Sequence, residues 1–148
     1  MKTAFCIGVL ICFSFSTNLF AQNYKSSVGL RLSSNAAAIN HSLTGKYFFA
    51  DKVAVEGLFS FGNSFAVGAM VEKHNAIGGE GLAMYYGGGL YGGFGPSKFG
   101  AHGVVGLDYK WPAIPLNLSI DWKPELSISR EFGFEPAAVG LSARYIIF

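Results

Sequence analysis

Three sets of residues in the 148-residue chain have types or spacings that could do chemistry. The first is "YYGGGLYGGFG" (85–95), in which Gly87, Gly89 and Gly92 form G-x-G-x-x-G. That spacing lets a strand-to-helix turn cradle a pyrophosphate. The second is the histidines, His41, His74 and His102, as bases or metal ligands. The third is a set of nine charged residues: Arg31, Lys46, Glu56, Glu72, Asp108, Lys110, Asp121, Lys123 and Arg144.

Context removes the first two. A dinucleotide fingerprint needs a helix that starts within it. Here Gly93, Phe94, Gly95 and Pro96 follow, a poor helix start, and no βαβ pattern surrounds them. The histidines fall in unlike settings: His74 in a turn, His102 on a polar face, His41 on an apolar stripe. H-E-x-x-H, paired-cysteine and G-x-S-x-G spacings are all missing from the sequence. No catalytic residue, metal ligand or cofactor site is therefore assigned, and the chain reads as a non-enzyme; a lipid-modifying barrel enzyme, which would need a Ser/His pair near one rim, is the catalytic alternative.

The charges gain meaning from the elements that carry them. Alternation of period two marks strands. It is clearest in "LNLSIDWK" (116–123), where Leu116, Leu118, Ile120 and Trp122 oppose Asn117, Ser119, Asp121 and Lys123. It recurs over 27–33, 39–49, 53–62, 64–72, 101–110 and the final segment, where Val139, Leu141, Ala143, Tyr145 and Ile147 oppose Ala138, Gly140, Ser142 and Arg144. The glycine run fits the same period as a strand over 82–95. Leu82, Met84, Tyr86, Leu90 and Phe94 would face outward; Ala83, Tyr85, Gly87, Gly89, Tyr91 and Gly93 would face inward. That makes eight strands joined by short connectors, except for a long loop over 124–136. All nine charges fall on the polar faces, five positive and four negative, and none falls on the apolar stripes.

"MKTAFCIGVLICFSFSTNLFAQN" has the layout of a secretory signal peptide: Lys2, an apolar core from Ala4 to Phe15, and a polar step before Ala21. Cleavage between Ala21 and Gln22 would leave 22–148 as one domain. Cys6 and Cys12 would leave with the leader, so disulfides and thiolate sites are excluded. Ten Lys and Arg then stand against nine Asp and Glu, too balanced to call for nucleic acid. Only 14% of the residues are charged, against about 25% in an ordinary soluble domain. Beyond the leader no apolar run is long enough for a membrane helix. An exported apolar chain without such a helix can live in a bilayer as a closed β-barrel.

Two barrels share this alternation. A lipocalin-like secreted binding protein would turn its apolar stripes inward around a ligand; a membrane barrel turns them toward lipid. Large aromatics near strand ends, such as Tyr47, Phe59, Phe65 and Tyr109, favour the membrane form, where they would make interfacial girdles. In "LTGKYFFADKVAVEGL" (43–58), "YYGGGLYGGFG" (85–95), "GVVGLDYKWPAIPLNLSIDWKPEL" (103–126) and "GLSARYIIF" (140–148) the chain resembles the small outer-membrane β-barrel proteins common in Bacteroidetes-type bacteria, in the broad class of OmpX and OmpW. The resemblance implies an all-β, eight-stranded, antiparallel, up-and-down transmembrane barrel in the outer membrane of a Gram-negative bacterium, with periplasmic termini. It implies membrane lipid and the outer-membrane insertion machinery as partners. Tyr145 and Phe148 would serve as the C-terminal insertion signal, although their spacing puts them on opposite faces unless a bulge intervenes. The expected role is structural or surface-interacting, with loop 124–136 as the candidate for an extracellular partner and the nine charges as a lumen network. A narrow channel, or a barrel passing small apolar ligands, is the alternative.

Overall fold

The computed structural model describes residues 24–34, 41–61, 65–94, 99–129 and 132–147. The expected leader, its expected Ala21–Gln22 junction and Phe148 lie outside the described residues. The elements are β1 (Ser26–Ser34), β2 (Ser42–Ala50), β3 (Val53–Ser60), β4 (Ala66–Ala76), β5 (Leu82–Gly93), β6 (Phe99–Lys110), β7 (Leu116–Trp122), β8 (Glu125–Ser127), β9 (Gly133–Glu135) and β10 (Val139–Ile146). All pair antiparallel in one sheet, and pairing of β5 with β6 closes it.

Ten segments make eight staves. Val105 of β6 pairs with Trp122 of β7, and His102 pairs with Glu125 of β8, so the register runs unchanged across the gap. Pro124 has no N–H to give the ladder, while its carbonyl still accepts from Gly103 N–H at 3.1 Å. The eighth stave is β9 plus β10. Glu135 pairs with Glu125 and Val139 with Trp122, so four steps on this stave face three on its neighbour. That is a one-residue bulge. Lys123 N–H donates to Ala138 O at 2.8 Å, and the Trp122 indole N–H to Pro136 O at 2.5 Å, binding its edges. The segment expected to be a long loop over 124–136 therefore carries two short strands, β8 and β9, that extend the wall. Two prolines read as turn residues because each removes a donor; Pro124 leaves the ladder in register, and Pro136 sits at the bulge between β9 and β10.

Closure fixes the geometry. A row of paired residues that leaves β5 at Gly93 runs through Ala66, Ser60, Ser42, Arg31, Ser142, Ser119 and Asp108. It re-enters β5 at Ala83, ten residues lower. Eight staves with that stagger tilt by about 40° and enclose a lumen that side chains can fill.

Alternation sorts the residues by face. On β1, Leu30 and Leu32 are 54% and 56% exposed, while Arg31 between them is 1% exposed. The pattern repeats on β10, where Leu141 and Tyr145 point out and Ser142 and Arg144 are buried. Burial is thus inverted relative to a water-soluble protein, with charges inside and large apolar side chains outside.

The glycine run is part of β5, with Tyr85 and Tyr91 buried as the period-two reading expects. Its inward glycines meet backbone rather than other strands' long side chains. A Cβ on Gly87 or Gly89 would strike the carbonyl oxygen of Val71 or Ala69 on β4. Tight coiling of the wall, not space for neighbouring arginines, demands glycine there. The turn that precedes β5 uses Gly79 and Gly81 at φ of 64° and 88°, which other residues adopt only with strain.

Candidate functional site

The lumen holds the only dense polar chemistry among the described residues. At its centre is Arg144. Its guanidinium donates to Glu56 Oε1 at 2.6 Å, Ser119 Oγ at 2.8 Å, Asn117 Oδ1 at 3.2 Å and Thr44 Oγ1 at 3.3 Å. Four staves are tied by one cation. Thr44 in turn donates to Glu56. Lys46 Nζ lies 2.8 Å from Glu72 Oε2 and 3.4 Å from Glu56 Oε2, and 4.5 Å from the centre of the Tyr85 ring. His74 Nε2 is 2.9 Å from Glu72 Oε2, and its Nδ1 is 3.7 Å from Asp108 Oδ2. Asn117 donates to Asp108 at 2.8 Å.

A second cluster sits nearer the far end from the termini. Arg31 grips Asp121 with both terminal nitrogens, each at 2.5 Å, and Tyr85 O–H donates to Asp121 at 2.7 Å. Bidentate pairing of this kind is among the stronger polar contacts. Gly140 makes it possible: a Cβ there would occupy the place of the Arg31 guanidinium. Gly140→Ala is expected to destabilise the barrel by about 1–3 kcal/mol through overpacking. Gly45→Ala, whose Cβ meets nothing within 4 Å, is expected to be mild. Urea titration of the two variants checks this, and equal effects would contradict it. Beyond Asp121, Lys123 Nζ meets Glu125 Oε1 at 2.6 Å with both side chains fully buried.

Two apolar groups lie among these charges. Leu58, Met70, Tyr85, Tyr91 and Val104 pack together across the lumen, and Tyr24, Phe48 and Ala54 fill it near the termini.

Of the nine charges assigned to this face from sequence, Arg31, Lys46, Glu56, Glu72, Asp108, Asp121, Lys123 and Arg144 are buried inside. Lys110 is half-buried at the end of β6 and makes no ion pair among the described residues. Glu125 and His74 are buried members that the sequence reading placed in a loop and a turn. For His74 the signal was present: continuing the alternation of Met70 and Glu72 by one step reaches it. His102 is also buried, stacked on Tyr91 at 5.9 Å, with neither ring nitrogen hydrogen bonded. Tyr145, of the expected insertion signal, points outward from β10.

The fold and site together define a small closed β-barrel with a charged, internally paired lumen and an apolar outer wall. No protein-family model matches the chain, and no curated protein matches it.

Proposed function

We propose that the protein is an integral outer-membrane β-barrel with a structural or surface-interaction role, exported by its leader and carrying out no catalysis. One observation carries this reading: the inverted burial, with four cations and five carboxylates inside and large apolar residues outside. A Lys or Arg on a lipid-facing wall costs about 2–4 kcal/mol at mid-membrane. The exposed charges of the described residues, Lys25, Asp51, Lys52, Lys73 and Glu80, all gather at the end that holds the termini.

The height of the wall adds support. Outward-facing Phe99 and Tyr109 bracket β6 near its two ends. At about 3.3 Å per residue and about 40° of tilt they stand about 25 Å apart along the axis, the height of a barrel's apolar band. Tyr47, Phe49 and Trp111 at one end, with Phe61, Phe65 and Phe94 at the other, supply two aromatic girdles.

With the termini in the periplasm, the surface would present the connectors after β1, β3, β5 and β8. Ile128, Phe132 and Phe134 are exposed on the β8–β9 hairpin. The filled lumen favours a closed barrel over a channel. Purified protein in planar bilayers is expected to leave conductance at the level of the bare membrane; stable unitary currents would support the channel instead.

Cell fractionation tests the reading as a whole. The protein is expected in the outer-membrane fraction, with a band that shifts on a denaturing gel only after heating. Recovery in the soluble periplasmic fraction without a heat shift would refute it.

A further inference from the structure

Lys73 departs from the rule that keeps charge off the outer wall. Because β4 runs on to Ala76, Lys73 continues the outward stripe of Val67, Ala69 and Val71. It is exposed, and among the described strand residues it is the only charged one on an outward stripe. Its register places it at the edge of the wall: it pairs with Val53, the first residue of β3, and with Tyr86 of β5. Lys52 stands beside it in the β2–β3 turn, where its carbonyl accepts from His74 N–H at 2.7 Å. Two lysines from neighbouring staves thus meet where the apolar band ends. Tyr47 and Phe49 of β2 flank them on one side and Tyr86 on the other, all three exposed.

The rest of that rim shares the sign. Lys25, Lys52, Lys73 and Lys110 stand there with Asp51 and Glu80, four cations against two carboxylates. None of the four lysines makes an ion pair among the described residues. The opposite end has no exposed Lys, Arg, Asp or Glu among the described residues. A lysine at the edge of an apolar band lays its methylenes on the wall and reaches water with its ammonium. There it meets head groups, and an anionic lipid surface holds each such lysine about fivefold more tightly than a neutral one. Aromatic rings of the kind that flank Lys52 and Lys73 settle at the same boundary. Lipid therefore fits this patch better than an acidic soluble protein does.

We propose that the rim at the end holding the termini docks anionic phospholipid, with Lys52 and Lys73 holding a head-group phosphate between the rings of Tyr47 and Phe49 and that of Tyr86. Asp51 is the acidic neighbour of Lys52, and the patch stays positive with it included. The proposal rests on the reading of the barrel as a membrane protein. It adds which lipid the wall selects and at which end.

Folding against urea into two kinds of vesicle tests this, one of phosphatidylcholine alone and one of phosphatidylcholine and phosphatidylglycerol in equal parts. At low ionic strength phosphatidylglycerol is expected to raise the folding equilibrium constant of the wild type about 25-fold through these two lysines, and added salt should shrink the gain. The double variant Lys52→Gln, Lys73→Gln should lose that gain while folding as well as wild type into phosphatidylcholine. Lys52→Arg with Lys73→Arg should keep it. No gain in the wild type overturns the proposal, as does a gain unchanged in the Gln variant. So does a gain that inorganic phosphate removes and chloride of the same ionic strength does not, which marks a site for free anions. If the Gln variant does not fold, a fluorophore on Ala50→Cys decides: spin-labelled phosphatidylglycerol should quench it more than spin-labelled phosphatidylcholine, and equal quenching overturns the proposal. Failure to insert into either vesicle would strike the membrane reading itself, whereas equal insertion into both strikes the lipid preference alone.

Discussion

Arg144→Met is expected to destabilise the barrel by about 3–5 kcal/mol, the usual effect of removing one partner from a buried ion pair. The arginine is wholly buried and joins β2, β3, β7 and β10 through four hydrogen-bonded partners. Without it, Glu56 keeps Lys46 as its only cation, and that ammonium is already shared with Glu72. Most of the loss should therefore come from the carboxylate left behind. Adding Glu56→Gln to Arg144→Met removes that charge, and the double variant is expected to be more stable than the single. Urea titrations of the four proteins in detergent micelles measure the coupling. Additive losses would show that Arg144 acts as a packing element and not as the centre of the network.

Leu30→Arg should be nearly as damaging, for a different reason. Leu30 is over half exposed, pairs with Leu43 and Ala143 on the outer wall, and sits about midway up β1. In a bilayer an arginine there costs about 2–4 kcal/mol. On a water-facing barrel the same change would be neutral within about 0.5 kcal/mol. The two outcomes are far apart, so folding into lipid vesicles against urea separates them. A tolerated arginine would mean that this wall does not meet lipid.

Much of the barrel was legible because one rule governs it. With a period of two and a closed sheet, each side chain must point into the lumen or away from it. The positions of Arg31, Glu56, Asp121 and Arg144 follow from their apolar neighbours alone. The rule even survives in the glycine run, where Tyr85 and Tyr91 keep the phase that the glycines hide. What stayed hidden was where the rule stops. Pro124 and Pro136 signal turns, but Pro124 removes one donor and leaves the register intact, and Pro136 shifts it by a single-residue bulge. Glu125 was lost to the loop for that reason. His74 was lost because "KHNAIGGEG" (73–81) looks like a single turn, although β4 continues to Ala76 and only the later glycines bend the chain. Pairings were out of reach altogether. That Arg31 meets Asp121 depends on the ten-residue stagger around the barrel, which no local pattern encodes.

The direction of the outer wall is the claim on which the proposed function rests, and the absence of cysteine after Cys12 makes it directly measurable. Single cysteines placed at Val139, Gly140, Leu141, Ser142 and Ala143 can carry a small fluorophore in vesicle-inserted protein. Quenching by bromine-labelled lipid tails is expected at Val139, Leu141 and Ala143 and weak at Gly140 and Ser142. Uniform quenching along β10, or quenching of the three apolar positions by a water-soluble agent instead, would contradict it.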